Sequence, residues 1–116
     1  MQVRLKATGE VLVRELRLAR NVWARTRGLM LAGRLPEGSG LDIRPCSSIH
    51  MMFMRQRIDA VFYDRAFRVT RVVNNLPTWY GLAFAPRGTR GVIELSPGSA
   101  STVNVGAELE FTGERG

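Results

Sequence analysis

His50 is the only histidine in the 116-residue chain, so it is the first candidate for acid–base or metal chemistry. An imidazole titrates near pH 6.5, which suits a general base or a metal ligand. If residues 49–55 form a strand, His50 shares one face with Met52 and Met54, because side chains alternate along a strand. The same placement is typical of a structural histidine that satisfies a buried carbonyl or carboxylate. We favour this structural role.

Cys46 precedes His50 by four residues, and both side chains could bind a soft metal. Two ligands are too few, because a structural zinc site uses four and a catalytic site usually three. Asp59 or Glu94 could complete the set only if the fold brings them close. We therefore expect no metal and no cofactor, and a single cysteine excludes an intramolecular disulfide.

Asp59 and Glu94 each interrupt an apolar run, IDAVF and VIEL. Together they could form a carboxylate pair for acid–base work with His50. A buried charge is costly unless it is paired, so partners are expected among the arginines. The predicted partners are Arg27, Arg55 and Arg57. An Arg–carboxylate pair would fix strand register as readily as bind a substrate, and we favour that structural interpretation, with no catalytic residue assigned.

A long connection over 74–90 contains Trp79 and Tyr80 between prolines and glycines. Loops of this length are uncommon unless they are functional or mobile. Exposed aromatic side chains could stack on a sugar, a base or a proline-rich segment, or they could pin the loop to its own domain. The predicted ligand-binding residues are His50, Arg55, Trp79 and Tyr80.

Positive charge exceeds negative charge over the chain as a whole. Sixteen of the seventeen basic residues are Arg, Lys6 is the exception, and the net charge is +7. Such a surplus attracts anionic partners, nucleic acid among them. Arginines scattered along the chain also arise from GC-rich codons, so nucleic-acid binding is a minor hypothesis beside a small-molecule or protein partner.

The pattern of short apolar runs predicts a mainly β fold with one helix. Strands are expected over 3–7, 11–18, 41–44, 67–73, 91–95 and 108–111, with a hairpin joining 60–63 to 67–73. Asn21 is typical of an N-cap and Gly33 of a helix end, which predicts a helix over 22–32. Residues 99–104 could form one helical turn. We expect a single domain over 1–116 (core about 8–112), a small β-barrel or strongly bent antiparallel or mixed sheet, with the helix packed against it.

Targeting signals are not evident. The first ten residues carry charges and no apolar run typical of a signal peptide, and no stretch approaches the roughly 20 apolar residues that span a bilayer. The expected location is the cytoplasm, with no membrane partner.

Four segments and two glycines occur in a recognisable order: RGLM at 27–30, IHMMFM at 49–54, IDAVF at 58–62 and VIEL at 92–95, followed by Gly98 and Gly106. This series resembles the prokaryotic domain-of-unknown-function 192 family across residues 8–112. The chain departs from the family pattern where many relatives carry a phenylalanine-tryptophan-methionine core, and in lacking the secretory leader of many members. The resemblance implies a compact β fold and supplies no reaction, cofactor or catalytic residue.

The expected function is therefore a non-catalytic accessory module that binds a small ligand or a protein. Nucleotide-binding loops, nucleophile elbows and zinc-protease motifs are missing from the sequence. One alternative is an enzyme of unknown reaction that uses His50 with Asp59 or Glu94, with arginine holding an anion. Another is nucleic-acid binding through the arginines.

Overall fold

A computed structural model of the protein describes residues 1–19, 37–44, 48–50, 57–77 and 82–113. Ten strands run through this part of the chain: β1 (Gln2–Leu5), β2 (Val11–Val13), β3 (Glu15–Ala19), β4 (Ser39–Ile43), β5 (Ser48–His50), β6 (Ile58–Asp64), β7 (Val69–Leu76), β8 (Leu82–Phe84), β9 (Thr89–Leu95) and β10 (Leu109–Thr112). They form one three-stranded sheet, one five-stranded sheet and a two-stranded ribbon of β5 and β8.

The three-stranded sheet is antiparallel, with the order β10-β1-β2. Val3 in the central strand lies opposite Phe111 of β10 and Val13 of β2. Val3 and Leu5 are buried while the alternate residues of β1 are half-buried. This alternation is typical of a sheet that packs one face against a core.

The five-stranded sheet has the order β3-β4-β9-β6-β7. Only β3 and β4 are parallel; the other pairs are antiparallel. Nearly every residue of the inner strands β6 and β9 is buried. Their sequences, IDAVFYD and TRGVIEL, each contain a run of apolar residues. Such runs are typical of strands covered on both faces.

Two apolar clusters lie on opposite faces of this sheet. The first joins Val61, Ile93 and Leu95 to Val3 and Leu109 of the three-stranded sheet, and we call this side the sandwich face. The second cluster defines the outer face; it contains Leu41, Ile43, Ile58, Ala60, Phe62, Leu76 and Val92, with Val73 and Ala85 packed against it.

The predicted fold class, a helix packed against a small barrel or strongly bent sheet, is wrong. The described residues form strands and turns without a helix, and their sheets are open. A barrel closes by pairing its last strand with its first, whereas here β3 and β7 are the edges of one sheet and β10 and β2 the edges of the other. The helix predicted over 22–32 lies outside the described residues.

The segment predicted as one strand over 11–18 is divided at Arg14. Residues before it pair with β1, and residues after it pair with β4. The N–H groups of Arg14 and Glu15 both donate to the carbonyl of Gly38, at 2.8 and 3.2 Å. The chain therefore crosses from one sheet to the other at a single residue.

The predicted hairpin is confirmed, because β6 and β7 pair antiparallel with Ala60 opposite Val73. Asp64 closes its turn by accepting the N–H groups of Ala66 and Arg68. The helical turn predicted over 99–104 is instead a run of tight turns, in which Ser101 N–H donates to Gly98 O at 3.3 Å.

Candidate functional site

Glu94 is the central polar residue of the outer face. It lies opposite Leu41 of β4 and Ala60 of β6, so its side chain emerges on the face that carries both of these apolar residues. Side chains of residues paired across neighbouring strands point the same way. The local sequence VIEL therefore places one carboxyl group inside an apolar cluster.

The carboxyl group of Glu94 is completely buried. Its side chain is 0% exposed, and neither carboxyl oxygen has a hydrogen-bond partner among the described residues. Burial disfavours the charged form and raises the pKa of Glu94 to about 8. At neutral pH the group is therefore mostly a neutral carboxylic acid, which can donate one hydrogen bond and accept others.

Asp59 occupies a contrasting environment on the sandwich face. One carboxylate oxygen accepts the N–H of Asn75 at 2.8 Å, and the other accepts those of Gly98 and Ala100 at 2.9 and 3.0 Å. Asn75 has a left-handed backbone, with φ of 57°, a conformation that asparagine tolerates better than most residues. Asp59 thus ties the end of β7 and the turns after β9 to the centre of the sheet.

Asp59 and Glu94 do not come together as a carboxylate pair. Asp59 lies opposite Leu95 of the sandwich face, and Glu94 lies opposite Ala60 of the outer face. Of the arginines expected as partners, Arg57 donates to the carbonyl of Asn75 at 3.3 Å. Arg27 and Arg55 lie outside the described residues. Backbone N–H groups, rather than an arginine, hold Asp59.

A second polar cluster was missed at the sequence level. Asp42 is completely buried, and one of its carboxylate oxygens accepts Arg44 Nε at 2.9 Å and Nη2 at 2.7 Å. Its other oxygen accepts the hydroxyl of Tyr63. The signal was the spacing Asp42-x-Arg44 at the end of a strand, because residues two apart on a strand share a face.

Three aromatic rings surround the Arg44 guanidinium. Its central carbon lies 5.7 Å from the ring centre of Tyr63, 5.9 Å from that of Phe67 and 5.4 Å from that of Phe111. These distances are typical of cation–π contacts. Because Phe111 belongs to the three-stranded sheet, the cluster locks the two sheets together.

His50, the first candidate by sequence, lies at the end of β5. Its backbone pairs with Leu82 of β8, so its strand runs beside part of the segment predicted as a long connection over 74–90. The segment continues from β8 into Ala85, which packs against the outer-face cluster. The remaining ligand-binding candidates, Arg55, Trp79 and Tyr80, and the cysteine Cys46, lie outside the described residues.

The described ranges contain neither a metal-binding cluster nor a membrane-spanning helix. No group of three or more His, Cys, Asp or Glu side chains within them is arranged to hold a metal ion. The same residues contain no helix of the length and apolarity needed to cross a bilayer.

The open-sheet fold and the buried Glu94 define a β-sandwich-like domain with an acid at the centre of one apolar face. The family model of domain of unknown function 192, described as an uncharacterized ACR, matches residues 3–111, and the chain belongs to this family. The family assigned from the sequence is therefore confirmed, and it is one whose function is not established. No curated protein matches the chain.

Two solved structures have similar folds. A protein of unknown function from Novosphingobium aromaticivorans has a TM-score of 0.82 at 22% identity, over 96% of this chain and 84% of its own. A putative transcription regulator from Sinorhizobium meliloti has a TM-score of 0.77 at 21% identity, over 94% of this chain and 91% of its own. At this level of identity the likeness establishes the fold alone.

Proposed function

We propose that this domain is a non-catalytic binding module that holds a small ligand at the outer face beside Glu94. The proposal rests on this carboxyl group, which is fully buried and has no hydrogen-bond partner in the described part of the chain. Leaving a buried polar group without a hydrogen bond destabilises the folded protein by about 1–3 kcal/mol. Such a group is rare in native structures, and a functional role is one explanation for it. A bound ligand that hydrogen-bonds to Glu94 would remove this cost.

Binding is favoured over catalysis because Glu94 stands alone among the described residues. Acid–base active sites usually combine the titratable group with a second polar group that orients it or stabilises the developing charge. The other buried carboxylates, Asp42 and Asp59, already hold Arg44, Tyr63 and three backbone N–H groups. They serve the fold and leave Glu94 without a catalytic partner in this part of the chain.

The proposed ligand is mostly apolar and carries one hydrogen-bonding group. The side chains around Glu94 favour a ligand whose larger part is apolar, because they belong to Leu41, Ala60 and Val92. A neutral carboxylic acid can donate to a carbonyl, or lose its proton to an amine. The backbone pairing of His50 with Leu82, and the packing of Ala85 against the outer-face cluster, support a surface that extends to His50.

The test is a thermal-shift screen at pH 6.5 with small apolar amides, ketones and amines. A ligand at a hundred times its Kd stabilises by about 2.7 kcal/mol, or roughly 10 °C for a domain of this size. We expect Glu94→Leu to raise the melting temperature of the free protein, because an unpaired polar group is removed, and to abolish the ligand shift.

Ile93→Val is the matched control, because Ile93 precedes Glu94 but faces the other side of the sheet. It should retain the ligand shift. A ligand whose shift survives in Glu94→Leu would contradict the proposed site, and so would a screen without any shift.

A further inference from the structure

The charges of the chain are unevenly distributed along its second half. Between residues 65 and 107 there are five arginines and one acidic residue, Glu94. Glu94 is buried and its pKa is raised to about 8, so it offers little negative charge near neutral pH. The five arginines of residues 65–107 are therefore not balanced by negative charge within the same stretch of sequence.

Hydrogen bonds bring part of this charge together at one end of the five-stranded sheet. Arg71 Nη1 donates to the carbonyl of Phe84 at 2.7 Å, which ties β8 to β7. The hydroxyls of Thr70 and Thr89 lie 2.8 Å apart, which draws the start of β9 towards β7. A turn closed by Thr89 N–H to Pro86 O, at 3.2 Å, leads into β9. We call Arg71, Phe84, Arg87 and Arg90 the Arg–Phe patch.

The three arginines of the Arg–Phe patch are exposed and form no ion pair with any described residue. The nearest acid by register is Asp64, which lies opposite Thr89. Its Oδ1 already accepts the N–H groups of Ala66 and Arg68. Elsewhere in the described ranges, three basic residues are paired with carboxylates: Arg4, Lys6 and Arg44. The three arginines of the patch are therefore available to bind an anionic partner.

Phe84 adds an aromatic surface to this charge. Its side chain is 62% exposed, whereas the next residue, Ala85, packs against the outer-face cluster. A single exposed hydrophobic side chain is common on protein surfaces, but an aromatic ring beside basic residues is the combination that single-stranded nucleic-acid sites use. Arginine can bind phosphate with two hydrogen bonds and can also stack on a planar base.

We propose that the Arg–Phe patch binds single-stranded nucleic acid, with one base stacked on Phe84 and the flanking phosphates on Arg71, Arg87 and Arg90. A base can stack on the exposed ring of Phe84 only if it is not already stacked between its neighbours, as the bases of a duplex are. An anionic membrane would need a wider apolar area than a single ring between charges. The patch contains neither Glu94 nor a residue of the outer-face cluster around it, so the inference stands without the proposed ligand site.

The test is fluorescence anisotropy with a labelled 12-nucleotide oligo-dT. Three neutralised phosphates give a slope of about −2 in log K against log salt, so affinity should fall roughly 20-fold between 50 and 200 mM salt. Arg87→Gln with Arg90→Gln should flatten the slope by about 1.4. Phe84→Leu keeps apolar character but removes the ring, and should weaken binding at least about fivefold.

Arg14→Gln with Arg17→Gln is the charge-matched control, because both residues are exposed and lie outside the Arg–Phe patch. It should leave most of the affinity intact. An equal loss of affinity in the two double-arginine variants would overturn the proposal, because it would indicate a general attraction between the basic protein and the oligonucleotide. Full affinity in Phe84→Leu, or binding to phosphatidylserine vesicles without binding to oligo-dT, would overturn it as well.

Discussion

Asp59 and Glu94 lie on neighbouring strands, yet their side chains point to opposite faces of one sheet. Asp59 is opposite Leu95, and Glu94 is opposite Ala60, the residue after Asp59. A shift of one residue along a strand moves a side chain to the other face. The carboxylate of Asp59 accepts three backbone N–H groups on its face of the sheet. The carboxyl group of Glu94 has no hydrogen-bond donor among the described residues on the other face. Two similar acids consequently have opposite roles.

Asp59→Asn should destabilise the protein by about 2–3 kcal/mol, because an amide can accept at only one of the two positions and leaves buried N–H groups unpaired. Urea unfolding at pH 7 measures this loss. Asp64→Asn is the control, since Asp64 also accepts two backbone N–H groups but in an exposed turn. It should lose about 1 kcal/mol or less. Equal losses in the two variants would show that the buried bonds of Asp59 add nothing.

Glu94 should make the protein less stable as pH rises from about 5 to 8. Its pKa is raised in the folded protein from 4.5 to about 8, so over this range the folded state holds a proton that the unfolded state has lost. The stabilisation is complete below pH 4.5 and disappears as pH passes the folded value near 8. The expected slope is about 1.4 kcal/mol per pH unit.

Urea unfolding at several pH values, compared between the native protein and Glu94→Gln, measures this dependence. The glutamine variant cannot titrate at this position, so its profile should lack the slope. Parallel profiles for the two proteins would mean that Glu94 is already ionised in the folded state at neutral pH.

Local sequence predicted the pairing of near neighbours but not the assembly of distant strands. The β6–β7 hairpin was predictable because a continuous apolar run and an alternating run flank the turn at Asp64 and Arg65. The division at Arg14 was not, because it depends on hydrogen bonds to Gly38, a residue more than twenty positions away. The open arrangement of the sheets depends on such remote pairings and has no short-range signal.

The candidate site was predictable in part for the same reason. An acid within the apolar runs IDAVF and VIEL correctly marked Asp59 and Glu94 as unusual, since a buried carboxylate requires compensation. The partners of Asp59 come from residues 75, 98 and 100, and nothing near Asp59 in sequence indicates them. The raised pKa of Glu94 depends on burial by both neighbouring strands, which only the register determines.

Arg44→Met should cost about 3 kcal/mol, because it removes one partner of a buried ion pair and leaves Asp42 with only the hydroxyl of Tyr63. Arg44→Lys should cost less, about 1–2 kcal/mol, since it keeps the charge but loses the planar contact with the three rings. Thermal unfolding of both variants measures the difference. If lysine proves as damaging as methionine, the planar geometry rather than the charge is what stabilises the cluster.

Gly91→Ala should destabilise the protein by about 1–3 kcal/mol, the usual cost of forcing atoms into a filled core. A methyl group at this position would lie 2.7 Å from the Tyr63 hydroxyl, and 2.9 Å from both Arg44 Cβ and the Ile43 carbonyl. Gly113→Ala is the control, because its nearest neighbour would be Met1 Cε at 3.5 Å, an ordinary contact. Urea unfolding should show no measurable loss for that control.

The variant Gly91→Ala should be partly rescued by Tyr63→Phe, which removes the oxygen nearest the new methyl group. Rescue should be incomplete, because the Ile43 carbonyl stays in place and Asp42 loses its hydroxyl partner. A double-mutant cycle isolates this coupling from the separate effects. Strict additivity would show that the backbone of β4, rather than the Tyr63 hydroxyl, is what requires glycine at position 91.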